Sequence, residues 1–347
     1  MNITHIIFSL QTGGAENMLI DIMHEQVLLG HAVTLIIVNK KVNEALKNTI
    51  HLEVKIIELK RPEGSKNPYY FFKLYYTLYL QQPDVVHCHN VQMGKILKYY
   101  KGKKIITVHA TDTYSPSLKY FDKVVSISKA VHDSLRADGD LRNSIIHNGI
   151  NTDNIKLKQK NINSSNYKIL QVGRLTHAQK GQDLSIKAIA KLKDSIENFN
   201  ITLTFIGEGS SETYLKDLVD DLDLNSNIKF WGNKDKMYIY EHLKEYDLLI
   251  QPSRYEGFGL TIIEGMAAKI PVLVSDIEGP MEVIQSGKLG EYFVCDNSDS
   301  LAEKIRLLQY SISNEKVEKA YRYTLENYTI EKTVEKYIVL YERIRNG

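Results

Sequence analysis

A chain of 347 residues exceeds one ordinary domain and fits two, at about 150 residues each. Its 43% hydrophobic and 25% charged residues suit a folded globular chain and exclude a disordered or fibrous one. Forty-four basic against forty-two acidic residues leave a net charge of +2, so there is no broad positive field for nucleic acid, and any cationic site is local.

Residues 1–8 enter an apolar strand pattern directly, without the charged segment, long apolar core or cleavage site of a secretion signal. No window reaches the ~20 apolar residues that a membrane-spanning helix needs. Cys88 and Cys295 are far apart, and Cys88 lies in a strand-like run, which fits reduced thiols. These features predict a cytoplasmic protein.

In chain order, residues 3–8 read as a strand, followed by a helix with Ala15, Met18, Leu19, Ile22 and Met23 on one face. Strands are expected at 33–38, 54–59, 84–87, 105–108, 124–126 and 144–147, which completes one Rossmann-like half. Residues 151–167 are polar, lack apolar periodicity and read as a linker. A second series begins at 169–172, with a helix burying Leu184, Ala188, Ile189, Leu192 and Ile196, then strands at 203–206, 228–230, 248–251, 272–275 and 292–294. After Leu301 the chain is expected to be wholly helical, and its last segment puts Val334, Tyr337, Ile338, Tyr341 and Ile344 on one face. Strands alternating with helices define an α/β fold of parallel sheets. Such sheets bind ligands at the carboxyl ends of their strands.

Three loops there carry candidate chemistry. In the loop 11–16, Gly13 and Gly14 open a helix whose free N–H groups suit an anion. In the loop 172–181, Arg174 and Lys180 flank a polar turn and suit a diphosphate. In the loop 253–267, Gly257 and Gly259 precede a helix starting near Leu260, so that Glu256 stands before it and Glu264 rises about one turn inside. Two carboxylates so placed suit two hydroxyl-bearing groups of one ligand. Taken singly, the bland readings are a tight turn, an exposed charge pair and ordinary helix-surface glutamates.

Glu256 and Glu264 have the E-x7-E spacing. Together with Gly13-Gly14-Ala15-Glu16, Asn148-Gly149-Ile150, Gly173-Arg174-Leu175, Lys180-Gly181 and Gly207-Glu208-Gly209, in that order over essentially the whole chain, they resemble the family 4, or group 1, retaining glycosyltransferases of GT-B fold. The resemblance implies two Rossmann-like domains facing a central cleft: 1–155, with a C-terminal helix 329–347 packing back on it, for the acceptor, and 156–328 for a nucleotide-sugar donor. By position it implies that Arg174 and Lys180 hold the donor diphosphate, with Gly13 and Gly14 closing over it. Glu264 would bind the ribose. Glu256 and the backbone of Phe258, Gly259 and Leu260 would grip the donor sugar, and His109 would stand beside the reacting sugar. The implied catalytic set is His109, Arg174, Lys180 and Glu256. Thr261 and Gly265 depart from the family's frequent Pro and Ala, Asn151 replaces a frequent Asp, and Ser275 to Glu282 is a variant of the usual donor-sugar segment.

No metal is expected. His87 and His89 share one strand face with the Cys88 thiol opposite, a poor closed site, and Asp138-Gly-Asp140 and Asp221-Leu-Asp223 read as charged loop surface. No tightly bound cofactor is expected; a UDP- or GDP-linked sugar is the substrate. The aromatic run 68–79 and the lysines around Tyr99 and Tyr100 suit peripheral contact with the inner face of the plasma membrane, or else packing on the sheet and a solvated face. The function expected is retaining transfer to a glycan or lipid-linked acceptor in bacterial surface polysaccharide or glycolipid synthesis, with no nucleic acid partner. The alternatives are a sugar-nucleotide epimerase on the same fold and a non-catalytic binding or scaffold protein.

Overall fold

The structure is a computed structural model that describes residues 1–11, 13–111, 113, 115–137, 143–159, 166–196 and 199–347. It divides into two compact units, Met1–Ile150 with Thr329–Gly347, and Asn151–Tyr328. The first holds strands β1 (Asn2–Ile7), β2 (Ala32–Asn39), β3 (Lys55–Arg61), β4 (Val85–Cys88), β5 (Lys104–Val108), β6 (Lys123–Ser126) and β7 (Asn143–Ile145). They form a parallel sheet in the order β3-β2-β1-β4-β5-β6-β7. Sequences such as Ala32–Asn39 are almost continuously apolar, as strands buried on both faces must be, and Leu35, Ile36 and Ile37 are fully buried.

The helix Gly14–Leu28 buries Met18, Leu19, Ile22 and Met23 on the face that the sequence spacing marks out. The helix Ile330–Asn346 is capped by the Thr329 side chain, which accepts from Lys332 N–H, and it buries Val334, Tyr337, Tyr341 and Ile344 in the first unit. The chain is pinned where it re-enters that unit. Ile150 bridges Thr329, the Thr333 hydroxyl donates to His147 O at 2.9 Å, and a Cβ on Gly149 would lie 2.1 Å from Thr329 O. Only glycine admits so close an approach.

The second unit holds β8 (Tyr167–Val172), β9 (Ile201–Ile206), β10 (Ile228–Phe230), β11 (Leu248–Gln251), β12 (Val272–Ser275) and β13 (Glu291–Phe293), parallel in the order β10-β9-β8-β11-β12-β13. Its core joins Ile169, Leu203, Phe205, Leu248 and Ile250 to Leu184, Ile189 and Leu192 of the helix Gln182–Ser195. Ile196 caps that helix instead of extending it, because its backbone is extended. Residues 151–159 are bound to this unit: Ile155 is buried, Lys156 N–H donates to Tyr240 O, and the Lys158 ammonium meets Asp247 at 2.9 Å. Of the rest of the expected linker, 151–167, Tyr167 already opens β8, and residues 160–165 lie outside the described residues, as does Asp138-Gly-Asp140. Beyond Leu301 three helices, Ser298–Tyr310, Asn314–Asn327 and Ile330–Asn346, are separated by short breaks capped by Ser313 and Thr329. Among the described residues no helix is long and apolar enough to cross a membrane.

Candidate functional site

In each unit the strand order reverses between two neighbours, and connections there leave the sheet in opposite directions, opening a crevice at the strand ends. In the second unit the reversal lies between β8 and β11. The segments that follow these strands carry Arg174, Lys180, Glu256, Phe258 and Gly259, with Leu260 and Glu264 in the helix beyond.

The loops touch. Gly181, at φ +66, would put a Cβ 1.9 Å from Pro252 O, so glycine is required both by its left-handed backbone and by the contact. Arg254 N–H donates to Gln179 O at 2.8 Å. The Arg254 guanidinium forks onto both oxygens of Asp183 at 2.8 and 2.9 Å and also reaches His177 O and Asp296. Burial pulls the Asp183 carboxyl upward, but the Arg254 bonds and charge outweigh it and hold the group below its usual range. Asp183, in the first turn of the helix Gln182–Ser195, thus ties that helix to the loop after β11.

This anchoring brings Lys180 to Glu256. The Lys180 ammonium donates to Glu256 Oε2 at 2.5 Å, with the side chains only 19% and 16% exposed. The same oxygen accepts from Gln251 Nε2 at 2.7 Å and from the Ser253 hydroxyl at 3.5 Å. Gln171, at the end of β8, donates to Lys180 O at 2.8 Å, and its own carbonyl accepts from Ser185 at 2.7 Å. Arg174 is exposed and its guanidinium forms no ion pair among the described residues. The Phe258 ring is core, packed edge-on against Tyr328 at 5.5 Å, so only its backbone can serve a ligand. Gly259 caps the helix Leu260–Ala267 at φ +104, and Glu264 lies half-buried in that helix. The variant segment 275–282 is seated directly beneath, since a Cβ on Gly279 would meet Glu256 O at 2.4 Å. Asp221 ends the helix Glu212–Asp221, and Asp223 pairs with Lys193 at 3.0 Å, as a surface acid would.

In the first unit the reversal lies between β1 and β4. There a polar cavity of about 320 Å³ is lined by Ser9, Gln11, Glu16, Asn39, Arg61 and Asn90, all at or beyond carboxyl ends of strands or in the first helix. Gly13 caps the helix Gly14–Leu28 beside it, with an extended backbone that any residue could adopt. Thr12, in the candidate loop 11–16, lies outside the described residues. His109 follows β5, on a different strand from Gly13 and Gly14.

His109 ends a column of histidines. Register sets His5 beside His87. His87 stacks on His89 with ring centroids 4.3 Å apart, and His89 on His109 at 5.8 Å. His5 Nε2 donates to Gln26 Oε1 at 2.8 Å, so its Nδ1 accepts from His89 Nε2 at 3.1 Å. His87 pairs at 2.7 Å with both the Tyr341 hydroxyl and the Thr107 hydroxyl, and Thr107 pairs with Tyr337 at 2.8 Å. Burial lowers the imidazoles of His5 and His109 to about 4, and burial with mutual repulsion holds His87 and His89 well below the ordinary value.

The column was not foreseen, although the alternation of His87 and His89 places them on one face. Nitrogens of His5, His87 and His89 lie within 4.8 Å of one another. In the structure both nitrogens of His5 and both of His87 are engaged in hydrogen bonds.

The chain is thus built from two doubly wound α/β units, and in the second an anchored lysine and carboxylate meet at the switch point. A family described as glycosyl transferases group 1 matches residues 153–324, and one described as glycosyltransferase family 4 matches residues 12–154. An uncharacterized glycosyltransferase of Methanocaldococcus jannaschii is 30% identical over 254 residues, 68% of this chain and 67% of its own length. A glycosyltransferase structure from Rickettsia africae superposes with a TM-score of 0.82 at 23% identity, over 99% of this chain and 98% of that one. A structure of Anabaena HepE in complex with UDP and glucose gives 0.81 at 19% identity, over 98% and 99%. The chain belongs to the group 1 glycosyltransferases, family 4, and has their two-unit GT-B fold.

Proposed function

We propose that this glycosyltransferase moves a sugar from a UDP- or GDP-linked donor to a glycan or lipid-linked acceptor with retention of configuration. No bound metal or cofactor takes part, and the product is a bacterial-type surface polysaccharide or glycolipid. The observation that carries this reading is the Lys180–Glu256 pair at the switch point of the second unit. It sets a cation suited to a diphosphate beside a carboxylate suited to sugar hydroxyls. HepE, with the same fold, holds UDP and glucose.

Arg174 and Lys180 stabilise the charge that builds on the leaving diphosphate. Glu256 and the backbone of Phe258, Gly259 and Leu260 hold sugar hydroxyls, and Glu264 holds the ribose. A leaving phosphate oxygen accepts the acceptor's proton on the same face as the attack. In the first unit, Gly13 and Gly14 serve the phosphate, the neutral imidazole of His109 offers a hydrogen bond to a sugar hydroxyl, and the polar cavity takes the acceptor.

A panel of nucleotide-sugars should contain a donor that raises the melting temperature more than its nucleoside diphosphate does, and the product should keep the donor's anomeric configuration by NMR. A panel without any stabilising donor overturns the reading. Binding with neither transfer nor slow hydrolysis makes the chain a scaffold, and an epimerised donor makes it an epimerase.

One surface of the first unit suits the proposed membrane contact. The helix Pro68–Gln81 packs Leu74, Thr77 and Leu78 inward, while Tyr69, Phe72, Tyr76 and Tyr79, spaced 3, 4 and 3 apart, face outward at 60–75% exposure. The Tyr75 hydroxyl ties this helix to Ile96 O, close to exposed Lys98 and Tyr99. Between Lys66 and Lys103 there are six lysines and one acid, Asp84, which accepts from Asn2 N–H. Aromatic rings over cations suit the headgroup level of an anionic leaflet. The protein should sediment with phosphatidylglycerol vesicles at low salt, and Phe72→Asp with Tyr76→Asp should release it; failure of the unaltered protein to sediment rejects the contact.

A further inference from the structure

We propose that Gln251 and Thr261 are positioning residues that aim the Glu256 carboxylate at the donor sugar. This rests on the sugar-binding role of Glu256 in the proposed function. The Thr261 hydroxyl donates to Gln251 Oε1 at 2.6 Å, and Gln251 Nε2 donates to Glu256 Oε2 at 2.7 Å. A carboxylate only accepts, so it must face the amide nitrogen of Gln251, and the amide oxygen then turns to Thr261. The direction of both bonds follows from that single constraint.

Gln251 is 4% exposed at the end of β11, and Ser253 beside it is fully buried, with its carbonyl fixed by the Ser275 hydroxyl at 2.5 Å. The relay therefore starts from the rigid end of a central strand and reaches into a loop. Lys180, Gln251 and Ser253 all converge on Oε2 of Glu256. Oε1 is the oxygen left to receive hydroxyl groups, and its direction is set by how firmly Oε2 is held. A side chain on a loop needs such backing to stay within the ~0.5 Å that a productive contact tolerates.

Thr261 lies in the first turn of the helix Leu260–Ala267, so its hydroxyl is carried by regular backbone and not by the loop it serves. Gln171 at the end of β8 is built on the same pattern, an amide fixed by a serine hydroxyl, but it holds the Lys180 main chain and not a ligand-facing group.

The test compares two affinities by calorimetry: for the sugar nucleotide giving the largest thermal shift in the panel, and for its nucleoside diphosphate. Thr261→Val keeps shape and removes the hydroxyl; Gln251→Met keeps length and removes the amide. Both should weaken sugar-nucleotide binding about five- to tenfold and nucleoside diphosphate binding by less than about twofold, and Thr261→Ser should restore it. Glu256→Gln is the reference variant. If it weakens sugar-nucleotide binding while Thr261→Val does not, or if Thr261→Val weakens both ligands equally, the relay is wrong and the site reading stands. If Glu256→Gln leaves sugar-nucleotide binding unchanged, or no member of the panel binds, the site reading falls and takes the relay with it.

Discussion

Lys180→Ala is expected to lower turnover at least ~10²-fold in a protein that remains folded. The ammonium rests on Glu256 at 2.5 Å and has three donors, so it can keep that carboxylate while reaching a phosphate oxygen. Alanine removes the cation proposed to meet the leaving diphosphate. It also leaves Glu256 with only Gln251 and Ser253 on its Oε2. Stripping one partner from a mostly buried hydrogen-bonded pair costs about 1–3 kcal/mol, which lowers the stability of the second unit without unfolding it. Turnover is measured on the donor identified in the panel, with circular dichroism to verify folding. Near-normal turnover in the folded variant would remove Lys180 from the machinery.

The second large effect is a loss of stability of the first unit as pH falls from about 6.5 toward 4. His5 and His109 are held near 4 by burial, and His87 and His89 well below the ordinary value. Histidine in the unfolded chain titrates near 6.5. Between those values the unfolded chain binds protons that the folded unit refuses, so stability is unaffected above about pH 6.5 and falls as pH drops toward 4. A single such histidine costs about 2 kcal/mol between pH 6.5 and 5, and the column together costs more. Trp231, the sole tryptophan, lies in the second unit. An acid-sensitive transition should therefore appear in far-ultraviolet circular dichroism ahead of the Trp231 fluorescence change. Denaturation midpoints that do not move between pH 7.5 and 5 would contradict the neutral column.

Nearly every strand was legible from its run of β-branched residues, because a parallel strand buried on both faces has no freedom to be polar. The outward aromatic face of the helix Pro68–Gln81 was not settled by sequence, since a run such as Tyr69-Tyr70-Phe71-Phe72 gives no strong polar side to mark which residues meet water. Residues 151–159 read as linker for want of periodicity, yet single contacts through Ile155, Lys156 and Lys158 hold them to the second unit.

Of the candidate residues, Lys180, Glu256 and Glu264 could be singled out because their motifs are local: a few residues at fixed spacing around a strand end. Their supports could not. Gln251 and Thr261 are ten residues apart, Arg254 and Asp183 seventy-one, and His87 and Tyr341 two hundred and fifty-four. What the sequence determined by itself was periodicity and short-range spacing: an α/β chain in two halves, with phosphate- and hydroxyl-suited loops after particular strands. Which oxygen of Glu256 is held, which histidines touch, and which residues pin the last helix to the first unit were decided by tertiary structure, because hydrogen bonds and buried charges join groups whose separation along the chain carries no signal.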